Sequence, residues 1–176
     1  MSLFDSPSLK AVRRALAEAG SAAPVVRLPR WAEGGALAAA GALEAPLGAM
    51  VQAQLFLIGE RPAMALLAGD RRCAAAALGR AVNLPGEARP ADADEVRRAT
   101  GFAPDGLAPL GMAERLPTVI DVSLKRFATL YAPAGDPRHV FATTVDELKR
   151  LTGGIVSYAI TEGDRYHPGW SGVMGV

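Results

Sequence analysis

Apolar residues recur at helical spacing near the start of the chain, at Leu9, Val12 and Leu16, and predict a first helix. Ser6 and Pro7 supply its N-cap and first helical residue, and Gly20 closes it. PVVRL (24–28) follows as a short strand, and the alanine-rich run from Ala36 to Leu43 reads as a helix, because alanine has the best helix propensity. From Met50 to Ile58 the period changes to two. Met50, Gln52, Gln54, Phe56 and Ile58 share one face, while Val51, Ala53, Leu55 and Leu57 share the other. Two glutamines on an otherwise apolar face need hydrogen-bond partners if they are buried. A turn at 59–62 leads to a second strand, Ala63 to Ala68, which makes a hairpin with the first.

Asp70 then opens a predicted helix through Cys73 to Leu78, and another runs from Ala91 to Thr100, stopped by Gly101. Thr118 to Val122 is apolar and β-branched, as expected of a central strand. Ala128 to Ala132 and His139 to Ala142 read as strands around a turn at Gly135, Asp136 and Pro137. Thr144 and Glu147 form a capping-box pair that starts a helix to Leu151, and Ile155 to Ala159 is a last strand. These signals alternate irregularly with tight strand connections, so the fold class is α/β of the α+β kind: a mixed sheet with helices outside it. Residues 1–162 read as one domain. From 163 to 176 (GDRYHPGWSGVMGV) the period disappears, which predicts a tail or an arm for a homodimer.

At 176 residues, half of them hydrophobic and 21% charged, the chain has the balance of a soluble globular domain. No apolar run approaches the length of a membrane span, and the first residues lack the layout of a secretory signal. With a single cysteine, Cys73, the expected compartment is the cytoplasm. A net charge of +1 argues against a protein that coats nucleic acid along its length, since each phosphate contact needs a cation. A local patch gripping one RNA end remains open.

Familiar catalytic constellations are absent. His139 and His167 are the only histidines and have no metal-ligand spacing; His139 on a strand reads first as a structural or surface residue, and second as a base. Cys73 has no histidine near it in sequence to activate it, so it reads as a small core residue. Neither a Walker loop nor a dinucleotide fingerprint occurs. The segment that invites chemistry is TGFAPDGLAPLG (100–111), with three glycines and two prolines in twelve residues. Glycine lets a ligand approach the backbone and proline fixes the chain. Such a loop is either an ordinary connection or a cradle of amides for a carbonyl oxygen.

PLGAMVQAQLF (46–56), the stretch 68–102 ending in ATGF, the loop DGLAPLG (105–111), the strand LPTVIDVSL (116–124) and AGDPRHVFATTVDELKRLTGG (134–154) occur in this order in one family. Over about residues 8–160 the chain resembles the YbaK/prolyl-tRNA synthetase-associated domain family of free-standing aminoacyl-tRNA deacylases. The resemblance implies a mixed, barrel-like sheet flanked by helices, and hydrolysis of the ester on mischarged tRNA, typically tRNA(Pro) bearing alanine or cysteine. It implies no metal and no other cofactor. Water attacks the ester, held by backbone groups of the glycine loop and assisted by the terminal ribose hydroxyl. Gly106 and Pro109 are the matching loop positions, Gly135 lies in the matching turn, and Leu107, Gly111, Asp136 and His139 are expected around the acyl group. The partner implied is the acceptor end of tRNA, with an aminoacyl-tRNA synthetase as a second.

The chain departs from the family at its strand, where a lysine followed by Ser or Thr is expected. Here the positions are Gln52 and Ala53, followed by Gln54. The three lysines, Lys10, Lys125 and Lys149, are too distant for a register shift to restore the amine. The upstream helical segment is also eroded, to GALAAA (35–40). A neutral amide hydrogen-bonds about half as strongly as a charged donor, and losing one electrostatic contact to a transition state costs roughly 10²–10³ in rate. Three functions stay open: a deacylase of altered substrate range, with Gln52 and Gly106 as its central groups; an inactive module that binds an aminoacyl end or another small ligand; and a subunit that docks on a synthetase. Arg71 and Arg72 are the expected tRNA contacts, with Arg97 and Arg98 as the alternative.

Overall fold

The computed structural model describes residues 5–33 and 35–162; the proposed arm at 163–176 lies outside them. In chain order the elements are α1 (Pro7–Glu18), β1 (Val25–Arg27), α2 (Ala36–Ala42), β2 (Val51–Ile58), β3 (Arg61–Ala68), α3 (Leu78–Ala81), β4 (Ala88–Pro90), α4 (Ala93–Thr100), β5 (Thr118–Asp121), β6 (Leu130–Pro133), β7 (His139–Thr143), α5 (Val145–Thr152) and β8 (Ile155–Ser157). Five strands form a mixed sheet in the order β4-β2-β3-β5-β8, and three form an antiparallel sheet in the order β1-β7-β6. A parallel bridge, Met50 to Tyr131, joins the two. The expected mixed sheet with flanking helices is present, but among the described residues it stays open as two sheets and does not close into a barrel.

The hairpin of β2 and β3 carries the fold. Its period of two places Val51, Leu55, Met64, Leu66 and Ala68 in the main core with Leu9, Val12 and Leu16 of α1. The opposite face puts Phe56, Ile58, Ala63, Ala65 and Leu67 against Leu78 and Val119. Glutamine is confined to the end of β2 nearest the second sheet, where Met50 packs with Leu28, Ala39 and Val140.

Helix ends follow the local chemistry. Ser6 Oγ accepts from Leu9 N at 3.1 Å. Asp92 caps α4 at Glu95 N, Glu95 reaches back to Asp92 N, and Gly101 ends the helix in the left-handed region, a complete capping box worth about 1 kcal/mol. At α5 only half of the expected box forms: Thr144 Oγ1 accepts from Glu147 N. The Glu147 carboxylate instead accepts from Ser21 Oγ at 2.5 Å and from Thr143 Oγ1 at 3.1 Å.

The helix predicted from Asp70 to Leu78 does not form. Cys73 bridges to Thr161 as strand, a 3-10 turn spans Ala75–Ala77, and regular helix begins only at Leu78. Asp70 is instead held by Arg126, with nitrogen–oxygen distances of 2.7 and 2.9 Å. Burial pushes the Asp70 carboxyl up, but the hydrogen bonds and charge of Arg126, with the charge of Arg71, outweigh it and hold it below its ordinary value. The charged form is therefore favoured in the fold, and its stabilisation is complete above the ordinary value of 3.8 and fades as pH falls through the lower folded value. The pair is partly exposed, so it contributes about 1 kcal/mol or less. Denaturant melts of the wild type and Asp70→Asn are expected to differ at neutral pH and to converge on acidification below pH 3.8. No helix among the described residues is long and apolar enough to cross a membrane.

Candidate active site

Where β2 leaves the main sheet and meets β6 and β7, the two sheets diverge and enclose a cavity of about 290 Å³. Its floor is the start of β2. Gln52 Nε2 donates to the Gly69 carbonyl at 2.9 Å, and Gln54 Nε2 donates to Gln52 Oε1 at 3.1 Å. The two glutamines thus form a chain of hydrogen bonds, from Gln54 to Gln52, that ends on a backbone carbonyl. Ala36 and Ala39 of α2, with Leu28 and Val140, make an apolar wall.

The glycine loop closes the other side, with Pro104, Asp105 and Leu107 lining the same cavity as Gln52. Gly106 lies behind it. A Cβ there would stand 2.6 Å from the Gly135 carbonyl oxygen and 2.9 Å from Asp136 Cα, so the loop and the turn touch backbone to backbone. Gly135 in turn has φ +101° and rests on α1, 2.7 Å from the Ser8 carbonyl carbon at its own Cβ position. Glycine is required at both places. The Gly106 amide is occupied, donating to Ala103 O at 3.0 Å. The next amide, of Leu107, meets no acceptor among the described residues, and Leu107 lines the cavity.

The same cavity is lined by His139, whose Nδ1 lies 2.8 and 3.0 Å from the two oxygens of Asp136. Asp136 is itself held by Ser6 Oγ at 3.3 Å and by the Arg138 amide at 2.9 Å. A carboxylate at Nδ1 fixes the proton there and leaves Nε2 as the acceptor, the arrangement that orients an imidazole to take a proton. Both residues line the cavity.

Gln52, Ala53, Gln54, Leu107, Asp136 and His139 therefore face one space, with Gly106 and Gly135 packed behind it. Pro109 and Gly111 do not; they line a different cavity on the far side of the loop. Arg71 and Arg72 lie outside the lining as well. The Arg71 side chain is only 12% exposed and pairs with Asp70 at 3.9 Å, whereas Arg72 is exposed. No lysine or arginine lines the cavity among the described residues, and its ionisable members are Asp105, Asp136, His139 and Tyr131. Tyr131 and Asp105 carried no sequence signal of their own. Tyr131 enters through the bridge from β6 to Met50, a contact between sheets that strand periodicity does not report.

Cys73 is elsewhere, packed beside the second core face. Burial, then the nearby Asp121 and Glu162 carboxylates, push its thiol up to about 11. It is almost wholly protonated at neutral pH and a poor nucleophile. Iodoacetamide is expected to label it far more slowly in the native protein than in denaturant, as followed by mass spectrometry.

Residues 35–151 match the family model of the aminoacyl-tRNA editing domain. The chain belongs to that family. This editing domain is similar to a crystal structure described as a candidate trans-editing enzyme for prolyl tRNA synthetase, at 34% identity and TM-score 0.83, covering 90% of this chain and 99% of that one. It is also similar to a scaffold protein used for computational epitope grafting, at 31% identity and TM-score 0.82, over 91% of this chain and all of the other. A hypothetical protein of 19% identity shares the fold at TM-score 0.76, over 86% of this chain and 99% of its own. The family and the first of these structures support a tRNA deacylase role for the domain. Among the described residues, this cavity gathers most of those expected around the acyl group.

Proposed function

We propose that this editing domain acts in trans as a deacylase of mischarged tRNA, with a tRNA(Pro)-related substrate, and that the cavity between the sheets holds the aminoacyl end. The observation that carries the reading is that one cavity is lined both by the His139–Asp136 pair and by Leu107, whose amide meets no acceptor among the described residues. In this reading the ester carbonyl oxygen points at the Leu107 N–H, which receives the negative charge as water adds to the carbonyl carbon. His139 Nε2 accepts the proton of that water, directly or through the terminal ribose hydroxyl, and returns it to the departing ribose oxygen. The products are the free amino acid and tRNA with its terminal hydroxyl restored. A cavity lined by Asp105 and Asp136 offers carboxylates to the α-ammonium of the aminoacyl group, and its small alanine-lined wall suits a small side chain.

One observation favours the inactive binding module. The Gln52 amide already spends its donor on Gly69 and its acceptor on Gln54, which leaves less for a substrate than a lysine would offer. A panel of mischarged tRNAs decides between the readings. Hydrolysis of any one ester above the buffer rate supports the deacylase; retained binding of a charged tRNA with no cleavage of any ester supports the module. For the tRNA contact, Arg72 is the more open of the arginine pair, and Arg72→Ala is expected to lower the slope of log affinity against log salt by about one.

A further inference from the structure

The far side of the glycine loop carries its own cavity, of about 320 Å³, between α1, the segment Pro109–Leu116 and the end of α5. The volume is at the small end of the range for small-molecule sites. Its floor is smooth because Ala11 and Ala15 of α1 and Ala19 at its C-cap fall four residues apart, and Leu110, Leu116 and Leu151 supply apolar walls. Three charges stand around it: Arg14, Glu18 and Arg115. None makes an ion pair or side-chain hydrogen bond among the described residues, although elsewhere Arg13, Arg89, Arg126, Arg138 and Arg150 all have carboxylate partners. Arg115 is laid over the end of α5, its Nη1 3.5 Å from where a Cβ of Gly153 would stand.

Two guanidiniums and one carboxylate around an apolar floor select by sign. A lone cation meets the arginines, and a phosphate meets Glu18. A molecule with a carboxylate beside an ammonium answers both, with the arginine forks on the carboxylate and Glu18 on the ammonium. We propose that this cavity is a second ligand site and that it takes a free α-amino acid with a small apolar side chain. The proposal stands apart from the deacylase reading, since it concerns binding of a free amino acid at a site that shares no lining residue with the first cavity.

The test is titration of the full chain with free L-alanine, L-proline and L-valine, followed by ligand-observed NMR and repeated with the matching amines and carboxylic acids and with inorganic phosphate. The expected result is saturable binding of at least one amino acid, weaker binding of each one-charge analogue, and a loss of about tenfold or more in Arg115→Ala and in Glu18→Gln. All three side chains are exposed, so the variants keep the fold, which a thermal melt checks. His139→Ala, at a residue that lines the first cavity and not this one, leaves this binding unchanged. The proposal is overturned if no amino acid binds, if binding survives Arg115→Ala and is lost in His139→Ala, or if phosphate binds as well as the amino acids do. None of these outcomes depends on whether any tRNA ester is cleaved, and a failed deacylation panel leaves this binding result intact.

Discussion

Gly106→Ala is expected to lower single-turnover deacylation of the preferred mischarged tRNA by roughly 10²-fold, the usual consequence of a 1 Å misplacement at a reacting centre. The added Cβ would stand 2.6 Å from the Gly135 carbonyl oxygen, far inside contact distance. Backbone cannot swing aside as a flexible side chain does, so the loop must retreat and carry the Leu107 amide with it. The comparison is Gly41→Ala, where a Cβ meets nothing within 4 Å on the body of α2. That change should leave the rate alone and stabilise the helix by about 1 kcal/mol. A thermal melt separates a displaced loop from an unfolded protein. If Gly106→Ala cleaves at the wild-type rate with the fold intact, the loop amide plays no part in the reaction.

Gln52→Lys carries the second large effect, in the opposite direction. The lysine amine can keep the bond to the Gly69 carbonyl while bringing a positive charge to a cavity lined by no lysine or arginine among the described residues. Charge-assisted donors are about twice as strong as neutral ones, and one well-placed electrostatic contact is worth about 10²–10³ in rate. Deacylation should therefore rise by about 10²-fold, at a small cost in stability because the Gln54 amide loses its acceptor. Single-turnover rates for the two proteins on the same charged tRNA give the answer. An unchanged or lower rate, with the melt intact, would mean that the amide is suited to this chain's substrate and that a charge at this position brings nothing.

The hairpin was legible because its signal is local. A period of two over Val51–Ile58 and Arg61–Ala68 has one solution when both faces are buried. The same alternation put Gln52 and Gln54 on one face, and their need for partners led to the cavity. The failure at 70–78 has the opposite cause. The alanines there favour helix, but the Arg126 pair with Asp70 and the strand bridge from Cys73 to Thr161 come from segments more than fifty residues away and override propensity. Strand β4 was missed because Ala88–Pro90 is three residues long and ends in a proline, which an edge strand tolerates. At the site, His139 was visible but read first as structural; only its distance to Asp136, set by the turn at Gly135, gives it an orienting partner. That the free amide belongs to Leu107 and not to Gly106 depends on one hydrogen bond to Ala103, which no sequence pattern encodes.

The stacking of Gly106 on Gly135, and of Gly135 on Ser8, has a practical consequence for anyone trimming this protein. The family match begins at residue 35, yet the support beneath the glycine loop starts at Ser6, whose hydroxyl also reaches Asp136. A fragment cut to the matched boundaries would leave Leu9, Val12 and Leu16 out of the interior and take the backing plate off the wall of the proposed site.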